Sequence, residues 1–315
     1  MRILITGISG FAGRHLVAAL QAGGHEVFGV SRRELPPSVL PLPESHLSVC
    51  DIQESAAVAT VVRQRQPDGI FHLAAITNVP ASFDDPERTY RTNFFGSLNV
   101  FAAVHTAAPR CRIVWVGSSD TYGPVAADEL PIDENQVFRP LNPYAVSKAA
   151  ADLAAFQWAR AHGLDVVRLR PFNHTGPGQA SEFVCAAFAR QIVAVERGVQ
   201  THISAGNLDV TRDFSDVRDI VRAYVLALEH GVAGEAYNVC SGQGRSIRSV
   251  LDTLMQLAGS RAPITSAPQR QRRLDIPAVV GDAAKLRAAT GWQPTYAWEQ
   301  TLRDLLADWR RRGVL

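Results

Sequence analysis

Thr6-Gly7-Ile8-Ser9-Gly10-Phe11-Ala12-Gly13, residues 6 to 13, is the stretch whose reading decides the fold. It follows an apolar run, RILIT (2–6), and opens a segment with helical apolar spacing at about 11–23. Strand, tight turn and helix in that order make the first half of a dinucleotide-binding unit. Small residues let the turn close and let backbone N–H groups approach a pyrophosphate. The helix N-terminus adds a favourable field for that anion. Gly7, Ser9, Gly10, Phe11, Ala12 and Gly13 are therefore candidate cofactor contacts. A glycine-rich turn alone says little; its place between strand and helix carries the weight.

Outward from this turn, short apolar runs alternate with amphipathic stretches. The strand candidates are 2–6, 26–30, 46–50, 69–73, 112–118 and 164–170, with helical patterns at about 11–23, 53–65, 86–107 and 144–161. Near-continuous apolar strands interleaved with helices indicate a parallel sheet covered on both faces. Right-handed crossovers then give an α/β fold with a doubly wound Rossmann sheet over residues 1–170. After Pro171 the texture changes to Gly-, Pro- and Asn-rich loops separating helices at about 181–198, 216–230, 246–258 and 297–312. Residues 171–315 are read as a smaller C-terminal α/β substrate-binding cap, with segments at about 209–240 returning to the first domain.

The strand ends carry the cofactor reading further. A carboxylate after the second strand would hold an unmodified adenosine ribose and repel a 2′-phosphate. This chain has Val30-Ser31-Arg32-Arg33 instead, and a guanidinium suits a phosphate. Ser31 and Arg32 thus favour NADP(H), with NAD(H) as an alternative. Asp51 and Ile52 follow the third strand, where an acid can meet the adenine amino group or cap a helix starting near Gln53. Leu73, Ala74 and Ala75 end the fourth strand with small residues that let the backbone lie against a cofactor. His72, just before them, reads as a packed, hydrogen-bonded histidine rather than a catalyst.

Bulk properties exclude several classes. The 315 residues carry a formal net charge of +2, with 20% charged residues and 46% hydrophobic ones. That balance gives no case for nucleic acid or a membrane surface as partner. No apolar run approaches the roughly 20 residues that span a bilayer, and the N-terminus goes straight into a strand without a signal segment. Cys50, Cys111, Cys185 and Cys240 form no CxxC pair and read as buried small hydrophobes in a cytoplasmic chain. Nine scattered histidines show no ligand spacing, so no metal is expected.

The reacting half centres on Tyr144 and Lys148 at the start of YAVSKAAADLAAFQWARAH. Four residues are just over one helical turn, so the two side chains share a face about 6 Å apart along the axis. An ammonium beside a phenol would lower its pKa from about 10 toward the working pH. Tyr144 could then exchange a proton with a sugar oxygen, general acid–base work of about 10²–10⁴-fold. Ser118 ends the fifth strand, where a hydroxyl can orient a carbonyl. Tyr-x-x-x-Lys is common by chance; its value lies in the ordered company of the glycine turn and the strand-end serine.

TGISGFAG (6–13), HLAA (72–75), NFFG (93–96), GSSDTYG (117–123), YAVSK (144–148) and RPFNHTGPGQ (170–179) together resemble the extended short-chain dehydrogenase/reductase family, the NAD-dependent epimerase/dehydratase group. The likeness covers nearly the whole chain. It implies a Rossmann domain, a C-terminal sugar-nucleotide domain and a homodimer paired through helices at about 86–107 and 144–161. RPFNHTGPGQ, DVTRDFSDVRD (209–219), YNVCSGQ (237–243) and GDAAKLRAATGWQP (281–294) are similar to the members that reduce the 4-keto group of GDP-4-dehydro-6-deoxy-D-mannose to GDP-D-rhamnose. By that resemblance, Tyr144 and Lys148 also bind the cofactor, Asn93 and Asn173 belong with the substrate, and Arg212 with Arg272 or Arg273 grips its diphosphate. Asp120 keeps an alternative open, because related 4,6-dehydratases place an acid two residues before the tyrosine equivalent to Tyr122. A GDP-mannose 4,6-dehydratase, an epimerase, or a 4-reductase forming the 6-deoxy-talose sugar therefore remain in play.

Overall fold

Strands that are apolar on both sides need cover on both faces, and the computed structural model of the chain supplies it. The structure describes residues 1–36, 38–267 and 275–313. Arg272 and Arg273 lie outside the described residues.

The first half runs β1 (Arg2–Thr6), α1 (Phe11–Ala22), β2 (Glu26–Ser31), β3 (Leu47–Val49), α2 (Ser55–Arg65), β4 (Gly69–His72), α3 (Val79–Asp84), α4 (Pro86–Tyr90), α5 (Gly96–Ala107), β5 (Arg112–Val116), α6 (Pro143–His162) and β6 (Val166–Pro171). The second half runs β7 (Asn173–Thr175), α7 (Val184–Glu196), β8 (Ile203–Ala205), β9 (Thr211–Asp216), α8 (Val217–His230), β10 (Ala236–Val239), β11 (Gly244–Ser246), α9 (Ile247–Ala258), β12 (Ile264–Ser266), β13 (Ala278–Val279), α10 (Ala284–Thr290) and α11 (Trp298–Arg312).

The main sheet has seven strands in the order β10-β6-β5-β4-β1-β2-β3, all parallel. This is the doubly wound order, and the chain reverses direction across the sheet between β1 and β4. One face buries Leu16, Val17 and Leu20 of α1 against Val217, Ile220 and Tyr224 of α8. The other face is filled from α2, α5 and α6, with Val62, Phe101, Val104 and Ala155 around Trp115. A third cluster, with Phe188, Ile192, Leu251, Leu254, Leu302 and Trp309, joins α7, α9 and α11 away from the sheet.

The division of the chain is more interleaved than the sequence suggests. Within 209–240, α8 and β10 join the main sheet, whereas β9 belongs to a second sheet with β7, β11 and β13. Leu286 and Trp292, far beyond residue 240, also return to the first core. Among the described residues no helix is long and apolar enough to cross a membrane, and no group of three metal-ligating side chains occurs. The four cysteines are free and buried.

Candidate active site

Because every strand of the main sheet points the same way, the residues just beyond β1, β2, β4, β5 and β6 gather along one edge. Gly7 begins the turn after β1 with φ +73°, a conformation that L side chains resist. A Cβ there would stand 2.7 Å from the backbone nitrogen of Ala74, so Gly7 is what allows the β1 and β4 loops to touch. A Cβ on Gly13 would meet the Ile8 carbonyl at 2.6 Å. Gly10 is the N-cap of α1 and gives it no side-chain cap. The first-turn N–H groups of α1 are thus offered to an external acceptor. The Phe11 ring is occupied within the chain, stacked on His174 at 6.0 Å and edge-on to His15 at 5.5 Å.

At the next strand end, Ser31 Oγ accepts from the backbone of Arg33 at 3.4 Å, and Arg32 is exposed. The β2 and β3 ends are held together by the Cys50 N–H donating to the Ser31 carbonyl at 2.9 Å. Asp51 Oδ1 accepts from the Gln53 backbone at 3.0 Å. Since α2 begins at Ser55, this is an Asx turn before the helix, and the expectation that Asp51 caps a helix starting near Gln53 is corrected. Ile52 is buried, and Asn99 of α5 donates to the carbonyls of Ile52 and Gln53 at 2.9 and 3.0 Å, fixing this loop. A glycine cradle, a helix N-terminus and a serine–arginine strand end fit a dinucleotide phosphate chain.

Leu73, Ala74 and Ala75 leave β4 half-buried beside Gly7. His72 is buried between Thr6 Oγ1 at 2.7 Å and Ser97 Oγ at 3.0 Å, and burial pushes its pKa down to about 3. It is a neutral structural histidine. Asn93 lies in a π turn, Arg91–Phe95, inserted between α4 and α5. Its Oδ1 accepts from the Ile76 backbone at 2.7 Å, and its Nδ2 donates to the Ile76 carbonyl and to Ser147 Oγ, both at 2.9 Å. Buried and engaged at both ends, Asn93 holds the β4 loop to α6, a local hydrogen-bond role that stands beside the substrate assignment the resemblance gives it.

Helix α6 starts on Asn142-Pro143: the Asn142 side chain caps the Ala145 N–H at 2.8 Å, and proline takes the first helical position. That cap fixes the turn carrying Tyr144. Ser118 caps the 3₁₀ turn Ser119–Tyr122, its Oγ accepting from the Asp120 N–H at 3.2 Å. The Tyr144 phenol lies close enough to Ser118 and to the Asp120 carboxylate for both to act on its pKa. Lys148 Nζ donates to the Val116 carbonyl at 2.8 Å, and burial lowers its pKa to about 8.

The expected effect of Lys148 on Tyr144 is corrected. Burial raises the phenol pKa above its usual range, Asp120 raises it further, and only Ser118 works the other way. The ammonium is turned to Val116 instead. Tyr144 is accordingly a protonated phenol across the neutral range, a proton donor in waiting.

Asn173 stands on β7, two residues beyond β6, and is half-buried. Arg212 on β9 is 8% exposed, and its Nη1 donates to the carbonyls of Thr211 and Ile276 at 2.8 Å each. The structure therefore gathers Ser118, Asp120, Tyr144 and Lys148 at one point and puts Arg212 in the second sheet. The supporting residues Asn142, Asn99 and Asp152 were not singled out from sequence; only the Asn-Pro pair ahead of Tyr144 offered a readable signal.

Residues 4–305 match the family described as GDP-mannose 4,6 dehydratase. A GDP-6-deoxy-D-mannose reductase of Pseudomonas aeruginosa is 40% identical over 312 residues, covering 99% of this chain and 98% of its own length. A GDP-mannose 4,6-dehydratase of Sinorhizobium fredii is 27% identical over 99% of this chain and 96% of its own. Among solved structures, RMD from Pseudomonas aeruginosa complexed with NADPH is similar with a TM-score of 0.87 and 39% identity, over 99% of this chain and 100% of that one. A UDP-glucose 4-epimerase of Thermus thermophilus in complex with NAD gives a TM-score of 0.86 and 29% identity, over 100% of both chains.

Proposed function

The chain belongs to the GDP-mannose 4,6 dehydratase family, and we propose that within it this enzyme is the NADP(H)-dependent reductase that converts GDP-4-dehydro-6-deoxy-D-mannose to GDP-D-rhamnose. It is an NAD(P)H-dependent oxidoreductase acting on a nucleotide sugar. The 40% identity to a GDP-6-deoxy-D-mannose reductase over nearly the full chain supports the substrate. The observation that carries the direction of reaction is the buried Tyr144 phenol beside Ser118, held protonated by burial and Asp120. A ketone being reduced needs a proton at its oxygen, and this group has one to give.

NADPH, when bound, supplies the hydride that reaches C4 of the sugar. Gly7, Ser9, Gly10, Phe11, Ala12 and Gly13 would hold its pyrophosphate, Ser31 and Arg32 its 2′-phosphate, Asp51 and Ile52 its adenine, and Leu73, Ala74 and Ala75 its inner face. Tyr144 delivers its proton to the C4 oxygen. Ser118, already accepting from the Asp120 N–H, turns its own hydroxyl proton toward that oxygen. Lys148 adds a buried cation on the same face of α6 and a donor for the nicotinamide ribose. Asn173 and Arg212, with Arg272 or Arg273, are assigned to the sugar nucleotide and its diphosphate. Holding the diphosphate at a distance fixes which face of the sugar meets the hydride.

Asp120 favours one second reading, a 4,6-dehydratase in which this carboxylate moves protons during water elimination; its effect in raising the Tyr144 pKa supports that reading. The deciding experiment incubates the enzyme with GDP-4-dehydro-6-deoxy-D-mannose and NADPH, follows loss of the reduced cofactor, and identifies the product by NMR. GDP-D-rhamnose supports the reductase. GDP-6-deoxy-talose would leave the chemistry and reverse the face. Consumption of GDP-mannose without added reductant would replace the reductase by the dehydratase.

A homodimer in the cytoplasm completes the proposal. Val146, Leu153 and Phe156 make an exposed apolar stripe on α6, and Phe95 is exposed beside α5. Two copies pairing through these helices would cover them.

A further inference from the structure

Behind the cleft, a buried chain of side chains ties its two halves together. Asp152 stands two turns beyond Tyr144 and one beyond Lys148 on the same stripe of α6. Its carboxylate accepts the fork of Arg170 in β6, from Nε at 2.9 Å and Nη2 at 3.0 Å. The third nitrogen, Nη1, donates to the Tyr122 hydroxyl and to the Glu134 carbonyl, both at 3.0 Å. Tyr122 closes the 3₁₀ turn that Ser118 opens, and its own hydroxyl donates to Asn238 Oδ1 in β10 at 2.6 Å. One guanidinium therefore spans from the helix bearing the phenol to the turn bearing the hydroxyl.

Stability does not explain this arrangement. Asp152, Arg170 and Tyr122 are 1%, 5% and 0% exposed, and buried ion pairs return little more than their desolvation costs. Apolar residues of the same volume would hold the core as well. What apolar packing would not fix is orientation, because a forked carboxylate–guanidinium pair accepts essentially one mutual geometry.

We propose that Arg170 is a positioning residue, with Asp152 and Tyr122 as its two arms, that sets Tyr144 on α6 at its working distance from Ser118. The inference rests on the reading of Ser118 and Tyr144 as the reacting pair. It acts on a separation to which rates are steep, since a misplacement of about 1 Å can cost about 10²-fold.

The test is a double-mutant cycle in the full chain, measured with GDP-4-dehydro-6-deoxy-D-mannose and NADPH. Y122F keeps the ring and removes only the hydroxyl that joins Arg170 to the turn. We expect its kcat to fall about 10- to 100-fold while KM and NADPH affinity stay within about twofold. In an S118A background the same change should cost little further, because the hydroxyl against which Tyr144 is set is gone. R170K, which keeps the charge and loses the fork, should behave in the same way; if it does not fold, the Y122F cycle decides alone. Additive losses, an unchanged Y122F kcat, or a KM that rises in step would each overturn the positioning role and leave the site reading intact. A wild-type kcat for S118A would sink the site reading itself, and the inference with it.

Discussion

The pyrophosphate turn and the Ser118–Tyr144 cleft lie on the same edge of one sheet, yet they are built by opposite means. The turn works by atoms that are missing: a Cβ at Gly7 or Gly13 would collide with backbone at 2.7 or 2.6 Å. The cleft works by atoms that are present, a phenol, a hydroxyl and an amine held in place by buried polar partners. The turn is written in eight consecutive residues. The cleft draws on positions from 93 to 238, and no short stretch of sequence contains it. A site made of omissions tolerates no addition, whereas a site made of side chains can lose one group and keep its shape.

The sharpest way to break this contrast is at Tyr144. Y144F removes the phenol hydroxyl, so kcat should fall by about 10²–10⁴-fold while NADPH affinity, read by fluorescence titration, falls far less. If cofactor affinity collapses instead, the two regions are not separable.

Lys148 gives the next largest effect, read as stability against pH. Its folded pKa of about 8 lies below the ordinary lysine value of 10.5 because burial penalises the charge. Below about pH 8 both folded and unfolded chains are protonated here, and the folded state bears the full cost. Between 8 and 10.5 the unfolded chain holds more protons, so stability rises with pH by at most roughly 3 kcal/mol. Thermal melts of the wild type and K148M should converge across that window, the wild type gaining; a constant gap would show that Lys148 does not titrate there.

At the turn, G7A forces alanine into φ +73° against Ala74. The strain of about 1–3 kcal/mol should appear as a lower Tm and weaker NADPH binding together, measured by calorimetry. A G7A that binds NADPH normally would remove the omission side of the comparison. The smallest effect is expected at Arg32: R32A should weaken NADPH relative to NADH by on the order of tenfold, read from kcat/KM for each cofactor.

The sequence made the local parts legible. Apolar runs ending at Thr6, Val30 and Leu73 placed the strand ends to within one residue, and with them the turn, Arg32 and Ala74, because a parallel sheet converts strand order into position. Tyr144 and Lys148 were readable from helical spacing in the company of the glycine turn and Ser118. What escaped was non-local or conformational. Asp152 and Arg170 are 18 residues apart on different elements and look like ordinary helix and strand charges until the fold brings them together. The direction of the Tyr144 shift is set first by burial and then by Asp120, and spacing carries neither. Strand β10 was missed as an element because AYNV is four residues long inside a loop-rich stretch.

The π turn at Arg91–Phe95 has a practical consequence for anyone editing this protein. Each residue advances an ordinary helix by about 100°, so the turn acts as a fixed crank between α4 on one side of Asn93 and α5 on the other. Deleting one residue there would straighten the rod and swing the whole of α5 around its axis. The buried Val100 and Phe101 would be carried off the sheet, and Asn99 away from the loop it fastens. A point change at the exposed Arg91 is open to a designer; one at Asn93, or a change of length, is not.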